Sequence, residues 1–281
     1  TYDNAGNFYA GGMAFNSGYP TTVGAYDVSF NDTTTGSITD VVITKYNSSG
    51  NNLIYSTYLG GNGTESVHSL IVNENDELFL YGVTSSTDFP VSSNAYDTSF
   101  NGGSFIGFVN NGTYFNNGTD IYVSKFTGDG TGLLGSTFIG GSGNDGVNYN
   151  YNFQSNGNWN SNYDSLQYNY GDQFRGEIMI DNAGNCYVAS SAKSPDFPIV
   201  NGFQDSLYGD QDAVVFKFNQ DLSNLLWSTY IGGTDKDAAY SLKVDSAFNV
   251  YVAGGTTSTD FPADSTDLNP TYLGGKTDGY V

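Results

Sequence analysis

The sequence predicts an all-β chain built as a β-propeller of four-stranded antiparallel blades. Three observations predict it. Four short motifs recur in fixed order along the 281 residues. The segments between them are short, rich in Val, Ile, Tyr and Phe, and alternate apolar with polar residues, which suits strands. No stretch sustains a 3.6-residue apolar period, so no long helix is expected.

The elements follow from the motifs in chain order. The first strand of each unit is read in Asp40-Val-Val-Ile-Thr-Lys-Tyr46, Asp120-Ile-Tyr-Val-Ser-Lys-Phe126 and Asp212-Ala-Val-Val-Phe-Lys-Phe218. A polar turn follows, as at 47–52. The second strand ends on a glycine pair: Ser56-Thr-Tyr-Leu-Gly-Gly61, Ser136-Thr-Phe-Ile-Gly-Gly141 and Ser228-Thr-Tyr-Ile-Gly-Gly233. A short third strand is expected at 69–72, 177–180 and 241–244. A turn then leads into the fourth: Asp3-Asn-Ala-Gly-Asn-Phe-Tyr9, Asp181-Asn-Ala-Gly-Asn-Cys-Tyr187 and Asp245-Ser-Ala-Phe-Asn-Val-Tyr251, with a weaker copy at Asn73-Glu-Asn-Asp-Glu-Leu-Phe79. Last comes Thr87-Asp-Phe-Pro90, Pro195-Asp-Phe-Pro198 and Thr259-Asp-Phe-Pro262, with a degraded copy at Ser17-Gly-Tyr-Pro20.

A four-stranded sheet with two apolar faces cannot bury both alone, so repetition lets neighbours stack. A sandwich array is the competing all-β reading, but it calls for a period nearer ~100 residues. Counting one strand before residue 40, twelve in three units and one at 278–281 gives about three and a half blades. The expected layout is the end of one blade and a connection at 1–39, then blades at 40–119, 120–211 and 212–277, and the start of another at 278–281. Such a count fits a segment of a larger propeller.

Composition narrows the function. Eight Lys and Arg against 29 Asp and Glu give a net charge of −21. That balance disfavours nucleic acid and anionic membrane surfaces. No apolar run approaches the ~18 residues of a membrane-spanning helix. Cys186, the single cysteine, lies in a strand pattern and is expected buried and inert. His68, the single histidine, has no second His or Cys to join in a zinc-like cluster. No G-x-S-x-G elbow supports nucleophilic catalysis with it.

Together, the Ser-Thr-Tyr-Leu/Ile-Gly-Gly, Asp-x-x-Gly-Asn-x-Tyr-Val, Thr-x-Ser-x-Asp-Phe-Pro and Asp-x-x-Val-x-Lys-Phe motifs resemble the bacterial SBBP family, whose repeats form seven-bladed propellers. Departures fall at Ala192, where neighbouring copies have Thr84 and Thr256, and at Gly18, where Asp is expected. The resemblance implies a secreted or surface-exposed module of a large protein, of the kind exported by the type IX system in gliding and surface-colonising bacteria. It carries over no catalytic residues.

Strand alternation places the loops after even strands on one face. Both insertions, 101–119 and 142–175, follow even strands and should crowd that face. The second is dominated by Asn, Tyr and Ser. Its rings and amides suit a sugar, through Tyr149, Tyr151, Trp159, Tyr163, Tyr168 and Tyr170. The competing expectation is a loop that packs its aromatics onto the blade. Repeated carboxylates gather on the same face: Glu65, Asp145 and Asp237; Asp88, Asp196 and Asp260; Asp40, Asp120, Asp212 and Asp278. Recurrence in every unit favours a structural role, accepting hydrogen bonds from turn N–H groups. Calcium is the functional alternative, with Asp145, Asp210, Asp212, Asp235 and Asp237 as weak candidates; no cofactor is otherwise indicated. The expected function is a non-catalytic scaffold or adhesion module. Its partners would be other domains of the same long chain, surface glycans, or secretion and motility machinery. A carbohydrate-binding propeller is the alternative, and a carboxylate-dependent glycan-cleaving enzyme ranks third.

Overall fold

A computed structural model describes residues 1–31, 38–108, 113–149, 166, 172–264, 266 and 268–281. The described chain is all β apart from one 3₁₀ turn at Asp172–Phe174, with no α-helix among the described residues.

Fourteen strands form four antiparallel sheets. The first sheet holds β1 (Phe8–Ala14), β2 (Asp40–Tyr46) and β3 (Leu53–Leu59). The second orders β4 (Glu65–Val72), β5 (Leu78–Thr84), β8 (Asp120–Phe126) and β9 (Leu133–Ile139); between its middle strands the chain forms a separate antiparallel pair, β6 (Ile106–Phe108) with β7 (Thr113–Phe115). The third orders β10 (Glu177–Ile180), β11 (Cys186–Ala192), β12 (Asp212–Phe218) and β13 (Leu225–Ile231). The fourth holds β14 (Asp237–Val244), β15 (Val250–Thr256) and β16 (Asp278–Tyr280). These are propeller blades.

The grouping differs from the sequence expectation in one respect. Segments 40–119, 120–211 and 212–277 are not hydrogen-bonded sheets. Each supplies the last two strands of one sheet and the first two of the next, so the glycine pair is the hinge between blades and not a turn within one. The third strand of the sequence unit is therefore the first of its sheet. It is also longer than expected: β4 and β14 begin directly after the hinge, at Glu65 and Asp237. Bulges between Val67 and Ser69, and between Ala239 and Ser241, break the two-residue alternation that would have shown their first halves.

Burial follows from stacking. All seven residues of β5, β8 and β11 are buried, because the middle strands of a blade have a neighbouring blade on each face. Alternate residues point to opposite neighbours. Phe79 packs in one cluster with Ile178, Cys186 and Val188 of the third sheet, whereas Leu78 packs with Val41 and Ile43 of the first. At the ends this coverage stops. Phe8, which matches Leu78, and Tyr251, which matches Phe79, are 47% and 54% exposed.

The connection between the second and third strands of a blade, carrying Asp-Phe-Pro, runs beside the outermost strand. Ser92 N–H donates to Ser136 O, Phe138 N–H to Asp97 O, and Tyr96 N–H reaches Leu222 O in the next sheet. The first sheet repeats this with Thr22, Tyr58 and Tyr26. Covering the outer edge removes a row of unpaired backbone groups that would template association.

Candidate functional site

The described parts of both insertions lie on the expected face, and they touch. Asn144 Nδ2 donates to Ser104 O at 3.0 Å, and Thr119 N–H donates to Asn144 Oδ1 at 2.9 Å. Tyr149 is buried rather than open. Its hydroxyl accepts from Asn144 Nδ2 at 2.7 Å, and the Lys193 ammonium stands 4.8 Å over its ring. Its position matches the packing expectation at that residue. Tyr151, Trp159, Tyr163, Tyr168 and Tyr170 lie outside the described residues.

The repeated carboxylates form three sets. In the hinge set, Glu65, Asp145 and Asp237 accept the N–H of Gly61, Gly141 and Gly233 at 3.1, 2.8 and 2.8 Å. Each also accepts a serine hydroxyl, from Ser86, Ser194 and Ser258 respectively. Asp145 takes two further N–H groups, from Lys193 and Ser194, at the copy where Ala192 replaces threonine. Asp40, Asp120 and Asp212 stand beside the hinge set and close the long connections, accepting N–H from Asn31, Asn101 and Tyr208. Asp88, Asp196 and Asp260 accept N–H from Asn62, Ser142 and Thr234, tying each connection to the preceding hinge.

This crowding explains the glycine pair. A Cβ at Gly60 would lie 2.5 Å from Asp40 Oδ1 and 2.6 Å from Glu65 Oε2; one at Gly61 would lie 2.5 Å from Asp88 Oδ1. The same conflict recurs at Gly232 and Gly233 with Asp212, Asp237 and Asp260. The serines that complete the hinge set, Ser86, Ser194 and Ser258, are the Ser of the Thr-x-Ser-x-Asp-Phe-Pro motif, a recurrence the sequence shows without showing what it binds.

Burial is the main cause that raises these acids. It pushes Glu65 and Asp120 up to about 8 and Asp145 and Asp212 up to about 6, with Asp40, Asp145 and Asp237 adding repulsion to Glu65, Asp120 and Asp212. Between pH ~4, where unfolded carboxyls titrate, and pH ~8, the native state holds protons that the unfolded state has released, so stability falls as pH rises. The melting midpoint should therefore be higher near pH ~5 than near pH ~8.5. A midpoint that rises steadily over this range would contradict the assignment.

A fourth set sits on the opposite face. Lys45, Lys125 and Lys217 each lie between a carboxylate and a ring. Lys45 is 3.1 Å from Asp3 and 4.7 Å over Tyr9; Lys125 is 2.8 Å from Glu77 and 5.1 Å over Phe79; Lys217 is 3.2 Å from Asp181 and 4.5 Å over Tyr187. Strand register makes each lysine and ring direct partners. Burial opposes ionisation of Asp3, but hydrogen bonds from Asn7 and Lys45 hold it down to about 2. The weak copy at 73–79 is a swap: Asn73 caps the turn, and Glu77 supplies the charge that Asp3 and Asp181 supply elsewhere. Lys217→Met should cost about 2 kcal/mol, because it strands the nearly buried Asp181. Chemical denaturation of the variant measures this.

Burial drives the Cys186 thiol far up, so it stays protonated. Burial also holds His68 down to about 3, packed between Tyr81 and Phe174 at ring distances of 5.3 Å. The five calcium candidates do not converge. Asp210 and Asp235 are exposed, whereas Asp145, Asp212 and Asp237 are buried on protein donors. Among the described residues no group of three or more His, Cys, Asp or Glu is arranged to hold a metal ion. No helix of the described residues is long and apolar enough to cross a membrane.

No curated protein matches this chain. The family model SBBP, described as a beta-propeller repeat, matches residues 226–262, which span the outer strand β13, the Gly232-Gly233 hinge, β14, β15 and the third Asp-Phe-Pro. By its sheets and by that match, the chain carries the SBBP beta-propeller repeat.

Proposed function

We propose that this chain is a non-catalytic propeller module of a secreted or cell-surface protein, serving as a scaffold and interaction domain. The observation that carries this reading is how the repeated acids are used. Each hinge carboxylate accepts backbone N–H and serine hydroxyl groups at a blade junction, so the residues most suited to acid–base chemistry act as fasteners. The resemblance to exported repeat proteins supports the location, and export through the type IX system with an adhesive role is its natural extension. An antibody raised against residues 1–281 tests it on intact source cells. Labelling of unpermeabilised cells, or recovery from the medium, is expected; labelling only after permeabilisation contradicts it.

The use of Asp145, Asp212 and Asp237 by protein donors also bears on calcium. Bound calcium would raise stability by mass action. We expect chelator to leave the melting midpoint unchanged; a lowered midpoint would restore the calcium reading.

A further inference from the structure

Asparagine followed by glycine is a chemically labile step. The glycine nitrogen attacks the asparagine side-chain carbonyl, and no side chain on the second residue hinders the approach. Two locks oppose the attack: a hydrogen bond that holds the glycine N–H, and one that holds the asparagine amide. Four such steps have both residues described: Asn62-Gly63, Asn101-Gly102, Asn117-Gly118 and Asn201-Gly202. All four asparagines are exposed, so access to water does not separate them. Hydrogen bonding separates them. Gly63 N–H donates to Ser86 Oγ at 2.7 Å, Gly102 N–H to Asp120 Oδ1 at 3.1 Å and Gly118 N–H to Phe115 O at 3.3 Å. These three glycines are buried. Asn62 Nδ2 also donates to Asp88, and Asn117 Nδ2 to Ser85 O.

Asn201-Gly202 carries neither lock. Among the described residues the Gly202 N–H and the Asn201 side chain make no hydrogen bond, and Gly202 is only partly buried. Loop length gives the reason. In the first two blades the same connection makes a turn, closed by Ala25 N–H on Thr22 O and by Ala95 N–H on Ser92 O. Gln204 N–H donates to Thr229 Oγ1 at the place where Asp97 N–H donates to Thr137 Oγ1. Between Pro198 and Gln204 the chain is one residue shorter than between Pro90 and Asp97, and the turn is lost. Asn201 takes φ +51°, a left-handed conformation that asparagine and aspartate both tolerate. A Cβ at Gly202 would lie 2.7 Å from Ser228 O, so this close approach keeps the second residue a glycine. The exposure of Asn201 does not depend on the sheet that follows. Asn94, which precedes Asp97 as Asn201 precedes Gln204, is exposed although Tyr96 N–H already reaches Leu222 O in the next sheet.

We propose that Asn201 is a site of spontaneous deamidation in the folded protein, through a succinimide formed with the Gly202 nitrogen. That nitrogen gives its proton to hydroxide and bonds to Asn201 Cγ. The Cγ–Nδ2 bond breaks, and Nδ2 leaves as ammonia with a proton from water. Water then opens the ring at either carbonyl, giving aspartate or an isoaspartate whose main chain is longer by one methylene. The segment is clamped on both sides, by Ser228 N–H on Val200 O and by Tyr230 N–H on Gln204 O. Isoaspartate lengthens the chain between these clamps and loosens the cover of the outer strand β13. The aspartate product keeps the chain length and leaves the cover in place.

The test is peptide mapping by mass spectrometry after incubation of the native chain at mildly alkaline pH, with a denatured sample alongside. Tryptic cleavage after Lys193 and Lys217 isolates Asn201 as the single asparagine of its peptide. In denaturant the four steps should react at similar rates, because their locks are gone. In the native chain Asn62, Asn101 and Asn117 should slow at least about fivefold, which one hydrogen bond of ordinary strength accounts for, while Asn201 stays within about twofold of its denatured rate. Asn201 should yield both aspartate and isoaspartate, separated by chromatography. The isoaspartate form should lose amide protection at Ser228 and Tyr230. Native Asn201 reacting as slowly as Asn62, or yielding aspartate without isoaspartate, would overturn the site. Unchanged protection at Ser228 and Tyr230 in the isoaspartate form would overturn its effect on the edge. Labelling of intact cells reads a different property, so the surface-module reading stands or falls separately.

Discussion

Asp145→Ala should lower stability by about 4 kcal/mol, the largest loss expected from a single side-chain truncation at a hinge. The carboxylate is fully buried and accepts four hydrogen bonds, from Gly141, Lys193 and Ser194 N–H and from the Ser194 hydroxyl. Alanine supplies no acceptor, and the cavity is walled by the backbone of two blades, so relaxation recovers little. Each orphaned buried donor costs about 1–3 kcal/mol, partly offset because a desolvated carboxyl is no longer buried. Equilibrium denaturation checks the value. Asp145→Asn keeps one acceptor oxygen and should fall between alanine and wild type. The pH dependence should also flatten, because Asp145 no longer raises Asp120. A loss below about 1 kcal/mol would mean that the hinge does not depend on this acceptor.

Gly82→Ala should cost about 3 kcal/mol or more, at the upper end for added volume in a packed interior. Gly82 lies on β5 opposite Val67, next to the β4 bulge, and opposite Tyr122 on β8. A Cβ there would fall on the carbonyl oxygen of Ser66, with the Tyr122 hydroxyl 2.8 Å away. That hydroxyl already donates to Ser66 O at 3.2 Å, so the added methyl strains backbone and displaces a buried hydrogen bond together. Gly254 occupies the same place in the fourth sheet, against Ala238 O and Tyr280. That sheet is partly open at Val252 and Ala253, so Gly254→Ala should be milder. Comparing the two denaturation midpoints separates close packing from the intrinsic effect of losing a glycine. Equal losses would argue against the packing explanation.

Much of the architecture was legible because the repeats carry chemistry at fixed places. The fourteen strands, the shared face of the described parts of both insertions and the hydrogen-bonded use of the recurring acids all followed from motif recurrence and strand alternation. The blade boundary did not. Strands β3 and β4 follow one another across Gly60-Gly61 as directly as β4 and β5 follow across 73–77, and sequence adjacency cannot say which neighbours exchange hydrogen bonds. The bulges at His68 and Tyr240 hid the strand halves that would have shown β4 and β14 starting at the hinge. The Asn73–Glu77 swap was legible only as a weakened copy, since its charge appears four residues late and becomes meaningful beside Lys125.

Amide hydrogen exchange of the native chain tests the central claim most directly, because the claim concerns named N–H groups. If the recurring carboxylates fasten blade to blade, the amides of Gly61, Gly141 and Gly233 should exchange slowly although they lie in turns. In Asp145→Asn, protection should fall at Gly141, Lys193 and Ser194 while Gly61 and Gly233 keep theirs. Rapid exchange of all three glycines in the unaltered protein, at the rate of exposed loop amides, would show that these acids do not hold the hinges.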